Sequence, residues 1–248
     1  MARGISWGGT SLPVTDAQVS ASRDPIREQS MNGLGGEILY GGVYAAAQGS
    51  FSGAARASVI GLIDSMLETE PGTAGVTAVV SDDHGNALTA NNCFLTSAEV
   101  SVKTGELAKA SFNFVGRSLT AGGSVGAASY SAAVPVFYNS STSWGTASAF
   151  SIKVEKPFAA DDYVLGGDFY SQSIYQSGET SVSGTITLGQ LTGYSLSDPG
   201  AITFTLGSVS TISITGAVLS NTEISVSGRG LIGKTFSWAA PSTGITIN

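Results

Sequence analysis

The chain reads as an all-β protein built from two tandem copies of one β module, and three observations carry that reading. Gly, Ser, Thr and Ala dominate while helix-favouring Glu, Lys and Gln are scarce. β-Branched residues concentrate in short alternating runs bounded by glycine and polar residues. The chain also repeats itself: Phe94-Leu95-Thr96-Ser97-Ala98-Glu99-Val100-Ser101-Val102 is answered by Val218-Leu219-Ser220-Asn221-Thr222-Glu223-Ile224-Ser225-Val226. Both runs continue without insertion into a glycine turn, a leucine (Leu107, Leu231) and an aromatic pair (Phe112/Phe114, Phe236/Trp238). Upstream, Leu34-Gly35 matches Leu165-Gly166, Ser52-Gly53 matches Ser183-Gly184, and Ser6-Trp7-Gly8 matches Ser143-Trp144-Gly145. A period of roughly 125 to 135 residues is the size of a domain, far longer than a solenoid unit.

This divides the chain into copy one (1–118), a connector that opens copy two (119–143) and copy two (144–248). Each copy begins with an alternating strand, Gln18 to Arg23 or Phe150 to Glu155, closed by Pro25 or Pro157, which cannot continue a central ladder. A long glycine-bearing segment follows, Ile26 to Gln48 and Phe158 to Gln176, and such lengths without structure of their own are usually functional. A strand then returns at Gly49 to Ala55 and Thr180 to Leu188. In copy one, Val59, Ile60, Ile63, Met66 and Leu67 recur at helical spacing before Pro71-Gly72, which predicts one short amphipathic helix. Its acids lie at the wrong end for the helix dipole, so packing has to hold it. Copy two has only Gly189 to Pro199 there, enough for one helical turn at most. Strands at Val76 to Ser81 and Ala201 to Leu206 lead into the matched pairs. The connector, rich in Gly, Ala and Ser, reads as a partly extended crossing of the surface.

In the matched strands Ala98, Val100 and Val102 share one face, and Ser97, Glu99, Ser101 and Lys103 the other. Copy two repeats this with Thr222, Ile224 and Val226 against Asn221, Glu223, Ser225 and Ser227. One face packs on a core and the other meets water. The net charge of -7 and the pI near 4.6 argue against a nucleic-acid clamp, which needs clustered Lys and Arg. The single Cys93 falls in a strand and reads as a buried, inert thiol. The first residues contain no continuous apolar run of signal-peptide type, and no later run approaches a membrane span, so use outside the secretory route and away from membranes is expected.

The candidate chemistries are weak. His84, the only histidine, sits in Ser81-Asp82-Asp83-His84-Gly85-Asn86, a composition that favours a hairpin turn over a triad or a metal site. Gly33-Leu34-Gly35-Gly36 lacks the lysine and spacing of a phosphate loop. Asp161-Asp162 has no second carboxylate pair for glycoside hydrolysis. The sequence therefore predicts neither catalysis, nor a metal, nor a cofactor.

Val19-Ser20-Ala21-Ser22-Arg23-Asp24-Pro25-Ile26, Leu34-Gly35, Ser50-Phe51-Ser52-Gly53 and the Phe94-to-Phe114 pair together resemble the tail tube proteins of long-tailed bacteriophages. Lys156-Pro157-Phe158, Leu165-Gly166-Gly167, Val182-Ser183-Gly184-Thr185 and the Leu219-to-Trp238 pair resemble them again. The departure is the duplication, since the common subunit has one such domain. The resemblance implies β-sandwich, barrel-forming tube domains, each with at most one short helix and a long inter-subunit loop. Rings would stack into a hollow tube for DNA, within a virion tail assembled in the host cytoplasm. Its partners would be the chain itself, three chains filling a pseudo-sixfold ring, and other tail proteins, with DNA passing unbound. The residues then expected to face the lumen are Ser97, Glu99, Ser101, Lys103, Asn221, Glu223, Ser225 and Ser227. Those expected in the assembly loops are Leu34, Ile38, Tyr40, Val164, Phe169 and Tyr175, with Met1 to Thr15 as a stacking arm. A tail-end hub ring built from the same domain stays open. So does a tandem β-sandwich adhesin whose aromatics Tyr138, Trp144, Tyr163, Phe169 and Tyr170 form a sugar-binding surface.

Overall fold

A computed structural model of the chain describes residues 4–23, 26–29, 37–40, 42, 44–70, 73–130, 133–141, 147–161, 170–188, 197–225 and 233–248. The first half contains β1 (Gly4–Trp7), β2 (Thr10–Leu12), β3 (Asp16–Ser20), β4 (Ile26–Gln29), β5 (Glu37–Tyr40), β6 (Ala47–Ala54), α1 (Ala57–Glu68), β7 (Val76–Ser81), β8 (Ala87–Lys103), β9 (Lys109–Gly116) and β10 (Ser118–Ala121). The second contains β11 (Phe137–Ser141), β12 (Ala147–Glu155), β13 (Phe158–Ala159), β14 (Tyr175–Gln176), β15 (Ser181–Leu188), β16 (Gly200–Leu206), β17 (Ser210–Ser225), β18 (Gly233–Ala240) and β19 (Ile245–Ile247). The all-β class holds, with one α-helix among the described residues. All but four strands join one antiparallel sheet, while β4–β5 and β13–β14 fold back as separate pairs inside the long segments.

The long strands β8 and β17 organise the sheet by serving two ladders each. The first part of β8 pairs with β7 and β10, and its second part with β9 and β12. β17 likewise pairs first with β16 and β19, then with β18. Where β8 passes from one ladder to the other, Asn92 takes a left-handed conformation (φ 53°), and Gly216 does the same in β17 (φ 70°). Asparagine tolerates this region because its short polar side chain bonds locally, and Asn92 Oδ1 accepts the Gly75 N–H at 2.8 Å. The two left-handed residues stand 124 positions apart.

That spacing recurs in the pairing of β7, β8 and β9 and of β16, β17 and β18. Phe94 faces Val115 and Glu99 faces Ser111 in β8 and β9; Val218 faces Ala239 and Glu223 faces Thr235 in β17 and β18, every partner 124 residues further on. The ladders slip at matching places, between Leu95 and Ser97 and between Leu219 and Asn221. Ala78 opposite Ala90 is answered in the same way by Ile202 opposite Ile214. Register is fixed wherever one face is buried, because a one-residue slip would turn every side chain to the wrong side.

Two expectations are corrected. The glycine answering Gly184 is Gly49, not Gly53: Gly49 lies opposite Phe114, and Gly184 opposite Trp238. A Cβ at Gly49 would overlap the Phe114 ring and the Gln18 carbonyl, and one at Gly184 the Trp238 ring and the Ser151 carbonyl, so an aromatic occupies the space above bare backbone in both places. Residues 4–12, expected in a stacking arm, are instead the β1–β2 hairpin, which continues from β7 and buries Ile5, Trp7 and Leu12. The Ser143-Trp144-Gly145 match lies outside the described residues.

The ladders meet through aromatic contacts. Trp7 of β1 packs on Phe51 of β6 and Phe114 of β9, with ring centres 5.9 and 5.3 Å apart. In the second half Phe150 of β12 stacks on Phe204 of β16 at 3.7 Å, beside Phe137 of β11. Helix α1 buries Val59, Ile60, Ile63 and Met66 on one face, as its spacing predicts.

Candidate assembly surface

Through the second ladder runs an uninterrupted antiparallel path, β3–β6–β9–β8–β12–β15–β18–β17, to which each half contributes four strands in the same order. The halves meet at the β8–β12 seam, where Val100 faces Ile152, Val102 faces Phe150 and Glu99 faces Lys153. The path does not close. Among the described residues no strand covers the outer edge of β3, nor that of Val218 to Ser225 in β17.

The alternation expected for the first matched strand is observed; in the second, Val226 lies outside the described residues and only the backbone of Ile224 is described. Ala98, Val100 and Val102 are buried, while Ser97, Glu99, Ser101 and Lys103 lie on the solvent side. Asn221 and Glu223 are exposed on the same face in the second half. Ser225 takes part in the β17–β18 ladder, whereas Ser227 lies outside the described residues. This face is laced by polar side chains across neighbouring strands. Gln18 Nε2 donates to Ser50 Oγ at 2.9 Å, Asn113 Nδ2 donates to Ser97 Oγ at 2.7 Å, and the Ser151 and Thr185 hydroxyls meet at 2.8 Å. The sequence view saw only the glutamates and Lys103. The fold adds Lys109, Lys153 and Glu155, so two acids and three lysines lie on this face around the seam. Lys153 pairs with Glu155 at 2.6 Å and is held above its ordinary range by that carboxylate, with Glu99 adding to the effect.

Contacts between the halves extend beyond the sheet. Lys156, which follows β12, is 3% exposed, and its ammonium donates to the carbonyls of Met66 (3.0 Å) and Thr69 at the end of α1. The helix dipole left uncompensated by acidic residues at that end therefore receives a cation from the other half. Burial lowers the Lys156 pKa, and Glu70 nearby opposes the shift. Phe158 stacks on Phe94 at 4.8 Å. From the long segment of the second half, Tyr170 stacks on Tyr44 at 4.7 Å and donates to the Leu119 carbonyl, while Arg117 donates to the Ser171 carbonyl at 2.6 Å.

Of the residues expected in the assembly loops, Tyr175 is exposed in β14 and donates to Asp161 at 2.6 Å. Ile38 and Tyr40 fall in β5, with only their backbone described; Leu34, Val164 and Phe169 lie outside the described residues. Of the aromatics considered for sugar binding, Tyr170 is engaged by the first half, only the backbone of Tyr138 is described, and Trp144, Tyr163 and Phe169 lie outside. His84 lies in a turn closed by Asp82, whose Oδ1 accepts the His84 and Asn86 N–H groups at 2.9 and 2.8 Å. Bonds from Asn86, first through its side chain, hold the Asp82 carboxyl below its ordinary range. Cys93 is buried, and desolvation pushes its pKa up to about 12. No helix among the described residues is long and apolar enough to cross a membrane. No protein-family model matches the chain, and a search of curated proteins returns no match.

Proposed function

We propose that the chain is the wall subunit of a bacteriophage tail tube, polymerising as stacked rings around a channel for DNA. We infer that its halves are copies of one β-sandwich domain, each supplying four strands to the channel-lining sheet. The observation that carries this reading is the β3-to-β17 path: two identical four-strand orders set side by side, polar on one face, packed on a core by the other, and open at both ends. An open sheet edge is a hazard that proteins remove by covering it or by closing a barrel, and ring closure removes both edges at once.

Three chains fill a pseudo-sixfold ring while keeping cyclic symmetry. Glu99 and Glu223 then stand at equivalent heights and place six carboxylates around it. The lining is hydroxyl-rich and close to charge balance near the β8–β12 seam, a surface that gives a polyanion little to hold. Electron microscopy of purified chain tests the reading. Hollow tubes with threefold rings are expected; isolated rings would instead mark a tail-end hub, and persistent monomers would sink the ring assignment.

A further inference from the structure

The β8–β12 seam is made inside one chain, yet it joins two elements that both recur at the open edges. β17 follows β8 at a separation of 124 residues, and its Val218–Ser225 part pairs with β18 as the corresponding part of β8 pairs with β9. β3 stands where β12 stands: Val19 lies opposite Gly49 under Phe114, and Ile152 opposite Gly184 under Trp238. The open edges are thus the two sides of a second seam, separated by the full width of the sheet.

We propose that successive copies of this chain join β17 to β3 in the register of the internal seam, with Glu223 opposite Ser20, Asn221 opposite Ser22 and Ile224 opposite Val19. The inference rests on the ring reading and fixes which strands and residues close the ring.

Three observations at the β17 edge support it. Phe94, beside the internal seam, is 7% exposed because Phe158 of the other half stacks on it, whereas its counterpart Val218 is 48% exposed. Val218 therefore lacks the cover that a following copy provides from the residues after β3, where Pro25-Ile26 answers Pro157-Phe158. Second, the Thr222 N–H bonds to the Asn221 side chain at 2.9 Å. The corresponding group in the internal seam is that of Ala98, at a hydrogen-bonded position opposite Val154. The parity follows from the Lys156 N–H donating to the Thr96 carbonyl and the Thr104 N–H to the Ser148 carbonyl, both at 2.8 Å, because bonded pairs recur every second residue. A neighbouring asparagine thus satisfies an edge amide that a second chain would take over. Third, neither β3 nor Val218 to Ser225 contains a lysine or proline, the residues that commonly block edge pairing.

The two seams differ in charge. Glu99 faces Lys153 within the chain, but Glu223 would face Ser20 between chains. The seam between chains thus lacks the cross-strand cation and is the more easily parted of the two.

By the same parity Ser20 and Glu223 form a non-hydrogen-bonded pair, with Cα atoms about 4.5 Å apart, within the reach of a disulfide. Within one chain the two positions lie at opposite ends of the eight-strand path, so only neighbouring chains can be linked. The test is a Ser20→Cys, Glu223→Cys chain, oxidised and run on non-reducing gels beside a register-shifted Ser22→Cys, Glu223→Cys chain. A ladder of linked chains, abolished by reductant and strong only in the first variant, is expected. Equal linking in the shifted variant, or hollow tubes with no linking in either, overturns the register while leaving the tube reading intact. Linked closed rings that never stack support the seam and overturn the tube. Unlinked monomers overturn both.

Discussion

The Lys156 ammonium donates a 3.0 Å hydrogen bond to the Met66 carbonyl across 90 positions of sequence, tying the second half of the chain to the last turn of the helix in the first. A cation on carbonyls that the helix itself leaves unpaired contributes both hydrogen bonding and dipole compensation. Lys156→Met keeps the length of the side chain and removes the donor. It should lower unfolding stability by about 2 kcal/mol, the order expected for a charged hydrogen bond. An unchanged denaturant midpoint would show that packing alone fixes the helix.

Glycines give a prediction of opposite signs. Gly49→Ala and Gly184→Ala each force a methyl group into an aromatic ring and a strand carbonyl, and should cost about 1 to 3 kcal/mol. Gly61, on the exposed side of α1, has open space where its Cβ would be. Gly61→Ala should stabilise by about 0.5 to 1 kcal/mol through helix propensity. Thermal melts of the three variants check the ordering, and a stable Gly184→Ala chain would contradict the packing described.

The Cys93 thiol should resist alkylation in the folded chain at pH 8. Its pKa near 12 leaves almost no thiolate at that pH, and its burial leaves no approach. Mass spectrometry after iodoacetamide treatment should find modification only when denaturant is added. Rapid labelling of native protein would place the thiol at the surface.

If the chain forms the proposed tube, replacing Glu99 and Glu223 together by lysine should leave tube assembly intact and slow DNA passage, most clearly at low salt. Screening confines such charges to roughly 8 to 10 Å at physiological ionic strength, so the effect is local to the wall. At Glu99 the substitution also sets a second cation opposite Lys153, turning a favourable cross-strand pair into a repulsive one. Normal ejection kinetics at low salt would move these residues off the channel.

The best-read parts of the sequence were those with a buried face and an alternation to report it. The ends of β7 are legible in the sequence, the start of α1 to within two residues, and the polar and apolar faces of Ser97 to Lys103 in β8 residue by residue. The failures have physical causes. Ser-Gly is common in this chain, so Ser52-Gly53 attracted a match that belongs at Gly49; what sets the register is the ring lying over the glycine, a contact between strands distant in sequence. The first twelve residues contain too few alternations to separate a hairpin from an arm, and Trp7 finds its place only against Phe51 and Phe114. In the sequence Lys156 stands out only as the neighbour of Pro157, because nothing local announces that a helix end ninety residues away lacks a donor. The seam was hidden for the same reason: strand order is a property of the folded sheet, and no single strand encodes its neighbour.

The β8–β12 seam has a further consequence for how an assembly grows. A contact made within one polypeptide forms during folding and does not depend on concentration, whereas a contact between polypeptides waits for an encounter. In a ring with six equivalent positions, fusing positions in pairs makes every second joint part of the fold. In the proposed ring, closure then needs three bodies to meet instead of six, and the rate of ring nucleation rises with a lower power of chain concentration. Each chain would also enter the proposed ring with one joint already set, a physical pattern for the curvature of the next.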